Sequence, residues 1–313
     1  MKQLSIFSML ILFLFTGKSI VAQTGTCDIP LMVYISEQDE SLPRTAESQL
    51  SNKLIRVAAD NGLAASNGYA QFVISPQFSV LGKNILPGPP RSFVYDFELT
   101  LFIGDSFGQK IFSSTTLSLK GIGENETKAY IDAIRKIAPK SKDIQAFLTD
   151  GKDKIVEYYN NNYQNIIKKA QSLAAQKNFE EAMFLLMAIP ECSKGYDASL
   201  AVASKVYQQY VDDMCNRYLN KARTAWASQQ NSYGAEEAGE YLTHIYPDAK
   251  CYGDAMVLYK EIKAKVKDDW NFVMKMYNDE VNLEKQRINA WKEVGVAYGK
   301  GQQPSTTHVY WRR

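Results

Sequence analysis

Two pairs of adjacent glutamates, Glu180-Glu181 and Glu236-Glu237, are the residues whose type and spacing first invite a chemical interpretation. A glycoside hydrolase needs two carboxyl groups about 5–9 Å apart, one of them acting as an acid. Neighbouring helix residues point in divergent directions, and acids near a helix start interact favourably with its dipole. We therefore expect both pairs to open helices. The remaining acidic pairs are expected on solvated faces: Asp212-Asp213, Asp268-Asp269 and Asp279-Glu280.

Histidine chemistry is limited to His244 and His308. Nucleophilic triads depend on a histidine, and structural zinc sites combine histidine with closely spaced cysteines. The sequence has no G-x-S-x-G, H-E-x-x-H or C-x-x-C motif. His244 falls in a predicted helix, where a packing or surface role is favoured, and His308 falls in the C-terminal tail. We expect no catalytic residue and no metal site.

Gly121-x-Gly123-x-x-Glu126 precedes a predicted helix and resembles a dinucleotide-binding loop at first sight. The third glycine is missing, and Glu126 places negative charge where a pyrophosphate would bind. We expect a tight turn and no cofactor.

The aromatic residues allow two interpretations. Lining a glycan or peptide groove is one, and packing in a helical core is the favoured one, because they recur at helical spacing. The set comprises 19 tyrosines and the four tryptophans Trp226, Trp270, Trp291 and Trp311.

Four cysteines, Cys27, Cys192, Cys215 and Cys251, allow two disulfides in three connectivities. If residues 211–228 and 235–246 form a helical hairpin turning near Ser232, Cys215 and Cys251 come within bonding reach. Buried free thiols are the alternative.

The N-terminal residues 1–22 predict a secretory signal peptide that ends at Ala22. Lys2 precedes an apolar run of twelve residues, too short for the roughly 20 that span a bilayer. A lipid anchor on Cys27 is the alternative.

The net charge of the chain is close to zero. Without residues 1–22, the 36 basic and 34 acidic side chains become 34 and 34, a net charge of zero. This balance argues against a nucleic-acid partner.

The first half of the mature chain alternates apolar and polar residues with the period of a β-strand. Phe93 to Ile103 and Ile111 to Leu119 predict two strands joined by the turn Asp105-Ser106-Phe107-Gly108. Shorter strands are expected at 31–36 and 69–75. Helical spacing between them predicts a helix capped by Gly62, and another helix begins near Asn125. The order strand, helix, three strands, helix predicts an α+β fold with one helical layer.

This order, with Gly121-Ile122-Gly123 leading into a helix containing Ala129 and Ala133, resembles the small α/β domain of exported bacterial accessory proteins. These include lipoprotein activators of penicillin-binding proteins, curli-secretion factors and flagellar assembly proteins. The resemblance covers about residues 30–149 and implies a protein–protein adaptor of the cell envelope.

From Gly151 the pattern is helical. Residues 170–190 resemble a tetratricopeptide repeat (TPR), with Ala170, Phe179 and Ala182 in register and Lys177 where glycine is usual. A second copy follows, since Lys221-Ala222 parallels Lys169-Ala170 and Glu236-Glu237-Ala238 parallels Glu180-Glu181-Ala182. The offset grows from 52 towards 57, and we attribute this to a longer second turn, 231–234.

Residues 253–294 predict one long helix, or two helices joined near Glu284, ended by Gly295, Gly299 and Gly301. Residues 307–311 alternate like a short strand, with a frayed tail as the alternative. We thus expect a signal peptide (1–22), a small α+β domain (23–150), a TPR-like helical domain with a long C-terminal helix (151–295) and a Gly-rich tail (296–313).

These features predict a non-catalytic binding or scaffolding protein, periplasmic or associated with the outer envelope of a Gram-negative bacterium. Its helical-repeat surface would bind a protein or peptide of the envelope. We expect no integral membrane segment after signal cleavage. The alternative is an envelope polysaccharide hydrolase that uses two of the carboxylates above. A third class, a small-ligand carrier, would need an enclosed apolar pocket between the domains.

Overall fold

The structure is a computed structural model that describes residue 27 and residues 29–35, 42–65, 70–267, 274 and 283–302. The predicted signal peptide, the acidic pairs at 268–269 and 279–280, His308 and the predicted strand at 307–311 lie outside these residues. No helix in the described ranges is both long and apolar enough to cross a membrane.

The first half is a four-stranded sheet covered on one face by helices. Its strands lie in chain order: β1 (Leu31–Val33), β2 (Phe72–Leu86), β3 (Ser92–Asp105) and β4 (Lys110–Gly123). β1 runs parallel to β2, and the other pairs are antiparallel. Helix α1 (Arg44–Asp60) connects β1 to β2, and α2 (Glu126–Arg135) follows β4. This arrangement confirms the predicted α+β order.

Local sequence signals determine the boundaries of these elements. Gly62 adopts a positive φ of 70° just after α1, a conformation that glycine tolerates without steric cost. The Asn125 side chain accepts a hydrogen bond from the backbone N–H of Lys128 and so caps α2. Asp105 Oδ1 accepts hydrogen bonds from the N–H groups of Phe107 and Gly108, both at 2.9 Å, which closes the turn from β3 to β4.

β2 is much longer than the strand predicted at 69–75. Pro76 interrupts the pattern in the sequence, and proline is normally excluded from central strands because it cannot donate to the ladder. β1 pairs only with residues 72–74 of β2. Beyond that point β2 is an edge strand of the described sheet, where a proline is tolerated.

The second half consists of two long–short helix pairs followed by two more helices. The first pair is α3 (Lys142–Ala175) with α4 (Phe179–Met187), and the second is α5 (Tyr196–Ser228) with α6 (Ser232–Leu242). α7 (Tyr252–Val266) and α8 (Leu283–Gln302) complete the described chain. Corresponding positions of the two pairs are buried alike: Ala170 and Ala222, Ala182 and Ala238, Leu186 and Leu242, Ile189 and Ile245.

The growing offset between the two copies was attributed to a longer second turn, and this prediction is wrong. Three residues join the helices in each pair, 176–178 and 229–231. The extra residues lie at the start of α6, because the Asn231 side chain caps the N–H groups of Tyr233 and Gly234 and begins the helix there. Glu236-Glu237 consequently lies in the second turn of α6 and does not open it.

The C-terminal helices also differ from the prediction. α7 ends at Val266, because Lys267 adopts a φ of 53°, so one helix over 253–294 is excluded. α8 continues through Gly295 to Gln302 instead of stopping near Gly295. A side chain at position 295 would meet Met187 Sδ at 2.7 Å, so this glycine allows α8 to approach α4 closely.

Some segments of the chain contribute to the hydrophobic cores of both halves. The N-terminal part of α3 packs on the sheet, where Gly151 lies against Ile103, and its C-terminal part packs in the helical core. The predicted boundary between residues 150 and 151 falls inside this continuous helix. Ala188 and Ile189, which follow α4, pack in the core of the sheet half.

Candidate functional site

Three of the acidic residues that invited a chemical interpretation, Glu181, Asp212 and Asp213, have structural partners. Glu181 accepts a hydrogen bond from Tyr298 of α8. Asp213 forms ion pairs with Lys177 and Arg217 at 2.8 and 3.0 Å, and the hydrogen bond from Lys177 contributes most to lowering the pKa of Asp213.

Asp212 accepts hydrogen bonds from the Gln208 side chain and the Lys250 backbone, at 3.0 and 2.8 Å, and pairs with Lys250 Nζ at 2.9 Å. Burial raises the pKa of Asp212, and the bonds from Lys250 and Gln208 outweigh it, so the pKa lies below its ordinary value. A general acid needs the opposite shift. Asp212 and Asp213 hold the helical hairpins together as ionised groups.

The aromatic side chains of the helical half are mainly core residues. Trp226, Trp291 and Tyr207 are almost fully buried, and burial raises the pKa of Tyr210 to about 12. His244 is exposed just after α6, and its ring stacks on Tyr218 at 4.7 Å between centroids. Within the described ranges, no cluster of three or more histidine, cysteine, aspartate or glutamate side chains could hold a metal ion.

Gly121 and Gly123 are strand residues at the end of β4, so the tight turn predicted for them is wrong. A Cβ atom at Gly121 would lie 2.0 Å from the carbonyl oxygen of Ala129, and one at Gly123 would lie 2.5 Å from the Ala129 nitrogen. Their function is to let α2 pack directly on the strand.

The structure joins all four cysteines. Cys215 is bonded to Cys251, the pair favoured by the sequence, with Cα atoms 6.0 Å apart. Cys27 is bonded to Cys192 across 165 residues. In this state the Cys27 sulfur is not available for a lipid. Paired cysteines are typical of exported proteins.

The exposed apolar residues are concentrated at one end of the sheet. Five of the eight large apolar side chains that the described chain exposes lie there: Val80, Leu81, Ile85, Leu86 and Ile122. We call this region, residues 80–94 with Ile122, the projecting end of the sheet. Nearly all of residues 80–91 are exposed.

Both faces of the projecting end are apolar. Ile85 pairs with Phe93 on the face that carries the helices elsewhere in the sheet. Val94 pairs with Ile122 on the opposite face, and alternation places Leu86 on that face too. Leu86 and Ile122 are 54% and 50% exposed. A sheet that merely completes a core would be apolar on one face only.

A polar contact supports the base of this region. Tyr95 donates a hydrogen bond to Glu126 Oε1 at 2.8 Å, and Lys83 Nζ lies 5.2 Å from the centre of the Tyr95 ring and 3.9 Å from the same carboxylate. The hydrogen bond with Tyr95 contributes most to raising the pKa of Lys83. The contact ties β2 and β3 to the start of α2.

The two outer edges of the sheet differ at this end. Asp132 of α2 accepts a hydrogen bond from the Ile122 backbone N–H at 2.9 Å, and Lys136 donates to the Lys120 carbonyl at 2.7 Å. These side chains occupy backbone groups of β4. Along β2, residues 76–86 have no strand on their outer side within the described chain. β2 is therefore the open edge.

Comparisons with known proteins give partial structural likenesses. No protein-family model and no curated protein matches the sequence. A minor lipoprotein from Acinetobacter baumannii is 15% identical with a TM-score of 0.25, covering 40% of this chain and 91% of its own. A predicted lipoprotein from Caulobacter crescentus is 11% identical with a TM-score of 0.23, covering 40% and 86%. Neither likeness is strong enough to support a conclusion about function.

The projecting end was not predicted, although the sequence carries a signal for it. Pro87-Gly88-Pro89-Pro90 marks a turn, with Ile85 and Leu86 directly before it and Phe93 and Val94 shortly after it. Apolar residues so close to a turn extend beyond the helices that cover the sheet.

Proposed function

We propose that the protein is a non-catalytic binding or scaffolding protein of the cell envelope that holds a protein partner at the projecting end of its sheet. The observation that carries this proposal is the concentration of exposed apolar side chains there. Clusters of this kind mark interaction surfaces, because leaving them in water is unfavourable. Export to the periplasm or outer envelope of a Gram-negative bacterium agrees with the signal-like N-terminus and with two disulfides.

The open edge of β2 favours an extended partner segment. Unpaired backbone groups of an edge strand can add a strand from another chain, and side-chain contacts then supply specificity. Leu81 and Ile85 lie on this edge strand beside the unpaired backbone. A strand paired with residues 77–86 would cover both.

The helical half offers less apolar surface than the sequence suggested. Its exposed large apolar side chains, within the described chain, are Tyr233 and Val257, which lie on different helices. We therefore propose that the partner binds the sheet and not the helical repeats, and that the helices support the sheet. The hydrolase alternative gains no specific observation, since the ion-paired Asp212 and Asp213 have lowered pKa values.

Partner capture from crosslinked envelopes tests the proposal. The exported protein is compared with an Ile85→Ser/Leu86→Ser variant and with Val257→Ser as the control, because Val257 is even more exposed, at 67%, but lies on α7. We expect a specific protein to be captured by the unmodified chain and by Val257→Ser, and to be lost from the double variant. Equal capture by all three, or turnover of a glycan without any captured protein, would contradict the proposal.

A further inference from the structure

The projecting end of the sheet carries positive charge next to its apolar side chains. Residues 80–94 contain two charged side chains, Lys83 and Arg91, and both are cationic. In the sequence they stand on either side of the exposed Ile85 and Leu86 and of the turn 87–90. An apolar surface bordered by two cations also selects the charge of the molecule that covers it.

Acidic side chains at the base of this end already have cationic partners. Asp96, which is paired with Gly82 across the sheet, forms an ion pair with Lys120 at 3.3 Å. Glu124, directly after β4, forms an ion pair with Lys128. These two pairs are neutral, so neither acid offsets the cations of the projecting end.

Both cations of the projecting end can accept a carboxylate from another molecule. Arg91 is exposed and has no hydrogen bond or ion pair to any residue that the structure describes. The Lys83 side chain is 46% exposed, and its ion pair with Glu126, at 3.9 Å between Nζ and Oε1, is open to solvent. Exposed pairs of this kind contribute little to stability, so Lys83 can interact with a second carboxylate at little cost.

The open edge of β2 determines where the side chains of an added strand lie. Lys83 and Ile85, two residues apart, share the face of the sheet that carries the helices elsewhere. Alternation places Leu86 on the opposite face. An added strand lies about 4.8 Å from β2, and its side chains alternate between the same two faces. One of its side chains therefore lies beside Lys83, and the next one on that face lies beside Ile85.

A lipid bilayer is the other surface that combines apolar contact with negative charge. The open edge of β2 argues against it. The outward-facing N–H and C=O groups of this strand would enter hydrocarbon without hydrogen-bond partners, and open sheet edges are not found there. A peptide strand supplies these partners, so the observations favour an extended peptide.

We propose that the segment held at the projecting end is an extended peptide with acidic side chains among its apolar ones, an inference that rests on the function proposed above. One acidic side chain lies beside Lys83, and a second reaches Arg91 where the peptide passes the turn. Apolar side chains of the peptide contact Ile85 and Leu86. Such a segment pairs its backbone with β2, covers the apolar surface and neutralises both cations.

Charge-reversing variants test the proposal in the partner capture from crosslinked envelopes. Lys83→Glu/Arg91→Glu repels an acidic segment and leaves the apolar side chains in place. Lys168→Glu/Lys169→Glu makes the same change of charge at two exposed positions of α3 and is the control. We expect the variant of the projecting end to capture about tenfold less partner than the control at low salt. Arg91→Glu alone, in the exposed turn, should capture several-fold less, and it carries the test if the double variant does not fold.

Salt dependence and the apolar variant distinguish this proposal from the proposed function. Raising the salt from about 0.05 M to about 0.5 M should reduce capture by the unmodified protein, because salt screens exposed charges. If Ile85→Ser/Leu86→Ser loses the partner while Lys83→Glu/Arg91→Glu captures as much as the control, the acidic segment is overturned and the proposed function stands. Equal capture by every variant contradicts the proposed function itself.

Sedimentation of the purified protein with phosphatidylglycerol vesicles tests the bilayer as the occupant. We expect no sedimentation that depends on the projecting end. Co-sedimentation that is lost in both Ile85→Ser/Leu86→Ser and Lys83→Glu/Arg91→Glu, and retained in Val257→Ser, would show that a bilayer covers this surface and would overturn the proposal.

Discussion

Removing the Cys27–Cys192 bridge should lower the free energy of unfolding by more than the packing contacts of the two side chains account for. Cys192 is exposed and Cys27 half-buried, so replacing both with alanine removes little packing. What changes is the unfolded state, because the bridge closes a loop spanning 165 residues. The chain-entropy relation gives about 5 kcal/mol for a loop of this length. Measured losses usually fall below that value, so we expect about 3–5 kcal/mol.

The assay is urea unfolding of the unmodified protein and the Cys27→Ala/Cys192→Ala variant, followed by circular dichroism. The midpoint should fall, and the m-value should rise because the uncrosslinked chain exposes more surface when unfolded. Thermal unfolding should show a decrease of roughly 5–8 °C in Tm, because a chain of this length has an unfolding entropy of about 0.6 kcal/mol/K. A loss below about 1 kcal/mol with an unchanged m-value would refute the reasoning that this bridge constrains the unfolded chain.

Two further predictions concern packing and acidity. Gly121→Ala should lower the free energy of unfolding by at least about 2 kcal/mol, because its Cβ would overlap the Ala129 carbonyl; thermal unfolding measures this. In the Gly253→Ala control nothing lies within 4 Å of the new Cβ, so Tm should stay the same or rise slightly. The lowered pKa of Asp213 means that its stabilising effect is complete above the ordinary carboxyl pKa of about 3.9 and is lost as the pH falls through the lowered value. The Tm difference between the unmodified protein and Asp213→Asn should therefore shrink between pH 6 and pH 3, and a constant difference would show that the ion pair with Lys177 does not stabilise the fold.

Elements with strong local signals were predictable from the sequence. The alternation in β3, the Asp105 turn and the Asn125 cap depend on residues close together in the chain, and each lies where expected. The similarity of the helix pairs was also detectable, because equivalent buried positions such as Ala182 and Ala238 retain the same residue type.

Features that depend on distant residues were not predictable in this way. β2 continues past Pro76 only because no strand pairs on that side of it in the described chain. α8 continues through Gly295 because this glycine lies against α4, more than 100 residues earlier in the sequence. The projecting end likewise depends on which surfaces the helices leave uncovered, and local patterns do not contain that information.

Hydrogen exchange of the complex with the captured partner tests the central claim most directly. Deuterium uptake is compared residue by residue between the free protein and the complex. If the partner adds a strand to the open edge, residues 77–86 of β2 should become protected, together with the neighbouring turn at 87–91, while α6 and α7 exchange as before. Protection confined to the helical half, with unchanged exchange in β2, would contradict the assignment of the projecting end as the partner surface.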